Sequence, residues 1–220
     1  MTGSDRPPAA VLFDCDGVIV DSERPLFDLL EGDFARYGLP MPRDEIMHTF
    51  IGGTMYDVGR RARAHGATMP EGWEEDFYER LFDVLAKDAP LIPGIVEVLD
   101  ALDAAGIGYA VGSNGSGRKM GITLGQHPEV LRRFHGRLFS GQDMNRPKPA
   151  PDLYLHAAAA LGTPPEACVV VEDSPTGARA ARAAGIPCYG YAPHDDGARL
   201  AEVGARVFGD LRELPGLWGI

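Results

Sequence analysis

Four short apolar segments recur along the chain, and each ends in polar or acidic residues or borders a helical stretch. They are "AAVLFD" (9–14), "IGYAVGSN" (107–114), "CVVVEDS" (168–174) and "IPCYGYA" (186–192). Between them, "IVEVLDALDAAG" (95–106) and "APDLYLHAAAALG" (150–162) carry apolar residues at helical spacing. "SPTGARAARAAG" (174–185) adds a proline near its start and a glycine past its end, the asymmetry of a capped helix. Strands this apolar, alternating with helices, can bury both faces only in a parallel sheet covered on both sides. The expected fold is therefore α/β, a doubly wound parallel-sheet (Rossmann-like) core.

One region breaks the alternation. Leu26, Leu29, Leu30, Phe34 and Tyr37 form one apolar helical face, and Trp73, Phe77, Leu81, Val84 and Leu85 form another. The one weak strand signal between them lies around Phe50–Ile51. The expected organisation is a core built from residues 1–20 and 91–220, with an α-helical unit inserted at 21–90. Pro90 and Pro93 mark the return, so hinges are expected near Val20–Ser22 and Lys87–Pro93.

Composition narrows the partners. A formal charge of −11 over 220 residues leaves no excess of basic side chains to replace phosphate counterions, so nucleic acid is not an expected partner. The chain holds three lysines, Lys87, Lys119 and Lys148. An anionic ligand must then be met by a metal or by a local basic group. Cys15, Cys168 and Cys188 show no CxxC spacing and read as free thiols of a reducing compartment. No run reaches the roughly 18 apolar residues of a membrane helix, and the first residues lack a signal-peptide core. The expectation is a cytoplasmic protein with no membrane partner, monomeric or a weak homodimer.

Function in open α/β sheets gathers at the carboxyl ends of the strands. This sequence places Asp14 and Asp16 at the first such end, Ser113 and Asn114 at another, and Glu172 and Asp173 at a third. Lys148 stands in the proline-rich loop "NRPKPAPD". Gly17 lets the chain turn sharply after Asp16, so both acids can look into one cavity. Carboxylates, a hydroxyl, an amide and one ammonium suit a hard cation such as Mg²⁺ and a phosphoryl group in transfer. Each residue also has a plainer reading: turn aspartates, a loop "SNG", a solvated lysine, and an Asp that caps the next helix.

"FDCDGVIVDSE", "SNG", "RPKPAPD" and "VEDSPTG", in that order, resemble the four motifs of the haloacid dehalogenase-like superfamily. The resemblance spans nearly the whole chain, and the insert is similar to the small helical cap of the phosphatase and β-phosphoglucomutase branch. It implies that Asp14 is the nucleophile, forming an aspartyl-phosphate, and that Asp16 is the general acid and then the base. It implies that Ser113, the Asn114 amide and Lys148 bind the phosphoryl group. It implies Mg²⁺ held by Asp14, the Asp16 carbonyl, Asp173 and Glu172, the last as a ligand or as a partner of one. Closure of such a cap would exclude bulk water.

Within the family, the presence of Asp16 disfavours dehalogenation. The sole insert lysine, Lys87, lies beside the returning hinge and suits imine-forming phosphonate hydrolysis poorly. The mutase branch carries an arginine in a "GxSR"-like turn, where "IGGTMYD" has Met55. The segments "SNGSGRKM", "LFSGQDMNRPKP" and "LHAAAALG" resemble bacterial sugar-phosphate phosphatases of the 6-phosphogluconate type. The implied substrate is a small phosphorylated metabolite, with a phosphosugar mutase as the alternative and a non-catalytic phosphate-binding regulator, or a receiver-type domain, behind it. Candidate substrate contacts in the insert are Gly52, Gly53, Thr54 and the run Arg60, Arg61, Arg63, although a solvated helix face also explains that run. Arg118 and Lys119 are candidates to meet an acidic substrate tail.

Overall fold

The computed structural model describes residues 7–50 and 54–220. Six parallel strands form one sheet: β1 (Ala10–Phe13), β2 (Gly108–Ser113), β3 (Leu138–Ser140), β4 (Cys168–Glu172), β5 (Cys188–Tyr191) and β6 (Arg206–Phe208). Their order is β3-β2-β1-β4-β5-β6, so the winding direction reverses at β1, which pairs with β2 on one side and β4 on the other. Phe13 stands opposite Val111 and Val171 in that register. The carboxyl end of β1 is thus the topological switch point, where this kind of sheet opens a crevice.

Strand alternation sorts the side chains onto two cores. Val11 and Phe13 face one side with Val111, Val169 and Val171, under Ile95, Val98, Leu99 and Leu102. These last four lie on α5 (Ile95–Ala105). Ala10, Leu12, Ala110 and Val170 face the other side, with Tyr154, Ala157, Ala178 and Ala181 above them. A sheet buried on both faces explains why β1 and β4 read as continuous apolar runs. Cys15 belongs to the first core and is fully buried.

Two strands escaped the pattern. β3 and β6 have three residues each, too short for alternation to register, and both are edge strands. The expected helices 95–106, 150–162 and 174–185 appear as α5, α8 (Asp152–Ala160) and α9 (Pro175–Ala183). Gly106 and Gly185 adopt the left-handed conformation that a helix stop requires. The remaining core helices are α6 (Gly117–Gly125), α7 (Pro128–Arg133), α10 (Ala198–Glu202) and α11 (Leu214–Trp218).

The chain divides into two compact units, Met1–Asp21 with Pro90–Ile220, and Ser22–Ala89. Within the first, the leaving and returning segments run side by side: Val20 bridges Leu91, and the Asp21 N–H donates to Pro90 O at 2.8 Å. The second unit holds α1 (Glu23–Arg36), α2 (Arg43–Phe50), α3 (Met55–Ala64) and α4 (Trp73–Leu85). Its centre is a buried polar knot. Asp33 accepts from Trp73 Nε1 at 2.6 Å and from Arg80 Nη2 at 2.6 Å, so the indole N–H of a buried tryptophan is satisfied. Phe50 closes α2 rather than beginning a strand, and Ile51 lies outside the described residues.

Among the described residues, no helix is long and apolar enough to cross a membrane.

Candidate active site

The tip of β1 sends its two aspartates to different partners. Asp14 follows Leu12 on the alternation, and its Oδ1 accepts from Lys148 Nζ at 2.8 Å. Asp16, beyond the turn, pairs its Oδ1 with Lys119 Nζ at 2.8 Å, and its Oδ2 lies 3.4 Å from the Ser113 hydroxyl. Gly17 makes the turn possible: its φ is +75°, and a Cβ there would fall 1.9 Å from Asp173 Oδ2. The glycine therefore admits both the chain reversal and the approach of Asp173. Strand, turn and neighbouring strand ends bring Asp14, Asp16, Ser113, Asn114, Lys148, Glu172 and Asp173 together at the switch point.

Lys148 is the most constrained cation of the site. Its Nζ donates to Asp14 and, at 2.6 Å, to Glu172 Oε1, and it lies 4.8 Å from the centre of the Tyr154 ring. Burial works against the ammonium charge, but the Asp14 and Glu172 carboxylates outweigh it and raise its pKa. Glu172 is fully buried and saturated. Its Oε1 also accepts from Tyr154 OH at 2.7 Å, and its Oε2 accepts from Ser174 Oγ at 2.9 Å and Ser174 N at 3.1 Å. Ser174 in turn caps α9 through Gly177 N. The helix start is thus built around the Glu172 carboxylate.

That packing leaves no room at Gly177, where a Cβ would sit 1.6 Å from Glu172 Oε1. Gly177→Ala is expected to push the carboxylate off Lys148 and to destabilise the fold by about 3 kcal/mol, the scale of severe overpacking. Thermal unfolding and turnover measured on that variant check both effects.

Burial dominates the electrostatics of Asp14. Burial raises the Asp14 carboxyl; Lys148 opposes the rise, and Glu172 and Asp16 add to it, for a net shift up to about 7. A cation beside Asp14 would favour its charged form. The donors fit one: carboxylate oxygens of Asp14, Glu172 and Asp173 lie within 4.8 Å of one another. An all-oxygen set with two or three acids suits Mg²⁺, which keeps coordination positions for water and phosphate. Both Glu172 oxygens already carry donors, from Lys148, Tyr154 and Ser174. For Lys119, burial alone would lower the pKa, but Asp16 outweighs it and the net direction is up.

Two expectations are recast by the geometry. The Asn114 side chain spans the Lys148 main chain, donating from Nδ2 to Lys148 O at 3.1 Å and accepting from Lys148 N at 2.7 Å. Its side-chain amide is thereby committed, which leaves its main-chain N–H as the donor to consider for a phosphoryl group. Lys119, considered for a substrate tail, is an Asp16 partner. It stands three residues beyond the Ser116 N-cap of α6. Tyr154 carries no signal of its own in the sequence, because it reads as one more apolar position of α8.

In the helical unit, Thr54 caps α3 in a reciprocal box with Asp57. Arg60 pairs with Asp57 at 2.8 Å on an exposed face, while Arg61 bonds Thr49 O and Arg63 bonds Glu74 at 2.6 Å. Local structure therefore accounts for Thr54, Arg61 and Arg63. Gly52 and Gly53 lie outside the described residues.

Comparison with known proteins agrees with this geometry. A family model, haloacid dehalogenase-like hydrolase, matches residues 8–185. The chain is 32% identical over 214 residues to 6-phosphogluconate phosphatase of Escherichia coli K12, covering 95% of this chain and 94% of the relative. A solved HAD family hydrolase from Deinococcus radiodurans R1, with bound phosphate and sodium, superposes with a TM-score of 0.79 at 34% identity, covering 96% of this chain and 95% of that one. A haloacid dehalogenase-like protein from Agrobacterium tumefaciens reaches a TM-score of 0.86 at 28% identity, covering 96% and 97%. With four motifs gathered at one switch point and a family match over most of its length, the chain belongs to the haloacid dehalogenase-like hydrolases.

Proposed function

We propose that the chain is a Mg²⁺-dependent phosphatase that hydrolyses a small phosphate monoester, a sugar phosphate or sugar-acid phosphate, through an aspartyl-phosphate at Asp14. The observation that carries this reading is the buried Lys148 ammonium, held 2.8 Å from Asp14 at the switch point with Glu172 on its other side. A carboxylate fixed beside an ammonium is oriented for attack and sits where phosphoryl charge would be offset. The similarity to a 6-phosphogluconate phosphatase and to a neighbour with bound phosphate supports the substrate class.

The cation would be held by Asp14, Asp173 and the Asp16 carbonyl, and would supply charge neutralisation on the phosphoryl oxygens. An Asp14 oxygen forms a bond to phosphorus while the ester P–O bond breaks. Asp16 gives its proton to the departing alkoxide. A water then attacks the phosphorus of the acyl phosphate, gives a proton to Asp16, and releases phosphate with Asp14 restored. Ser113 and the Asn114 main-chain N–H steady the phosphoryl oxygens, and Lys148 offsets their charge.

The test is phosphate release from a panel of sugar phosphates, 6-phosphogluconate, phosphoglycolate, nucleoside monophosphates and β-glucose 1-phosphate. Turnover with Mg²⁺ that EDTA removes and added Mg²⁺ restores is expected. Isomerisation of β-glucose 1-phosphate without phosphate release would favour the mutase reading. A protein inert across the panel would point to binding or regulation.

A further inference from the structure

Lys148 is fixed at two points, and neither anchor has a counterpart among the roles assigned above. At its main chain, the Asn114 side chain bonds both Lys148 N and Lys148 O, as a strand neighbour would. Gly141 holds the loop over this contact: its N–H donates to Ser113 O at 2.8 Å, and a Cβ on it would meet Asn114 Oδ1 at 2.8 Å. At its ammonium, the Tyr154 ring lies beneath Nζ while the Tyr154 hydroxyl donates to the same Glu172 oxygen that receives Lys148. Tyr154 is fully buried, so its hydroxyl has no solvent to turn to.

We infer that Asn114 and Tyr154 are positioning residues that aim Lys148 at Asp14, Asn114 by clasping its main chain and Tyr154 by fixing its Glu172 partner. The inference rests on the reading of Lys148 as the group that offsets phosphoryl charge. A lysine carries four rotatable side-chain bonds, and an ammonium left free would spread over several positions. Anchoring both ends removes that freedom before substrate arrives, which is how supporting residues set the geometry of a reacting pair. Asn114 then contributes to the chemical step through Lys148, and its side chain does not grip the phosphoryl group.

The two roles separate in kinetics. Asn114→Ala is expected to lower kcat about tenfold with KM within about twofold, since the lost bonds act through Lys148. Tyr154→Phe keeps the ring and removes one hydroxyl, and is expected to lower kcat about threefold. In the Lys148→Ala background, neither change should reduce kcat further, because residues acting through a common partner are not additive. The Lys148 amide should exchange slowly with solvent in the wild type and about tenfold or more faster in Asn114→Ala, a readout that needs no turnover.

Losses in Asn114→Ala that appear in KM with kcat kept, or that persist undiminished without Lys148, would overturn the inference. So would a Lys148 amide whose exchange Asn114→Ala leaves unchanged. A wild type without phosphatase activity would overturn the proposed function instead, with the amide exchange still testing the clasp.

Discussion

Asp14→Asn is expected to remove turnover by at least about 10³-fold while leaving the thermal unfolding midpoint within a few degrees of the wild type. Asparagine keeps the shape of the side chain and an oxygen that Lys148 can still meet, but it cannot attack phosphorus. Asp14 touches Lys148 and also lies within reach of the Asp173 and Glu172 oxygens. Its loss thus strikes nucleophile, cation ligand and ion pair together. Two neighbouring carboxylates are already engaged: Asp16 is held by Lys119 at 2.8 Å, and Glu172 is saturated by donors. Residual activity near the wild-type rate would mean that another group attacks.

Lys148→Ala is expected to have the largest combined effect on rate and stability. The ammonium is almost wholly buried, and Glu172 is entirely so. Removing the cation strands two carboxylates in low dielectric, which costs about 3–5 kcal/mol for a broken buried pair. In a protein of this size each kcal/mol corresponds to about 2–4 °C in the unfolding midpoint. The rate should fall by about 10²–10³-fold, the scale of one lost electrostatic donor to the transition state.

The deficit should depend on pH when measured with EDTA. Asp14 is raised by its burial from 3.8 to about 7 even with Lys148 present, and losing the ammonium raises it further. A carboxyl raised by the fold takes its proton in the native state at a pH where the unfolded chain stays ionised. In the wild type, native stability therefore gains as pH falls through about 7 towards 3.8. In the variant, with Asp14 raised further, that gain begins at higher pH, so the deficit relative to wild type should shrink as pH falls towards about 7 and stay level below it. A deficit that does not change as pH falls towards about 7 would place the damage in packing rather than in stranded charge.

Much of this site could be read from the chain before its coordinates. Asp14, Asp16, Lys148, Glu172 and Asp173 each stand at a strand end or in a proline-marked loop, and strand ends in a parallel sheet must share an edge. What the pattern cannot carry is the pairing across that edge. Asn114 reads as a donor in a loop, and only the fold shows its amide closing on a main chain 34 residues later. Tyr154 hides in an apolar helix face, where an aromatic ring needs no further explanation. Lys119 sits one turn into α6, and nothing local says that its ammonium meets Asp16.

The strands tell the same story. β1 and β4 are long enough for their apolar runs to declare themselves, whereas β3 and β6 take only three residues each from turn-rich surroundings. Their strand state comes from an open sheet edge beside them, a tertiary cause with little local trace. The helical unit behaves likewise: α1 and α4 carry clear apolar faces, and α2, with eight residues, is short enough that its packing against neighbours decides it.

The most direct measurement is chemical trapping at Asp14. Wild-type protein mixed with Mg²⁺ and a turned-over phosphate ester, quenched in acid during turnover and reduced with borohydride, should carry homoserine at position 14 by peptide mass analysis. The same treatment of Asp14→Asn should leave every aspartate intact. Robust turnover with no reduced residue at position 14, or with the label on a different carboxylate, would contradict the assignment of Asp14 as the group that takes the phosphoryl.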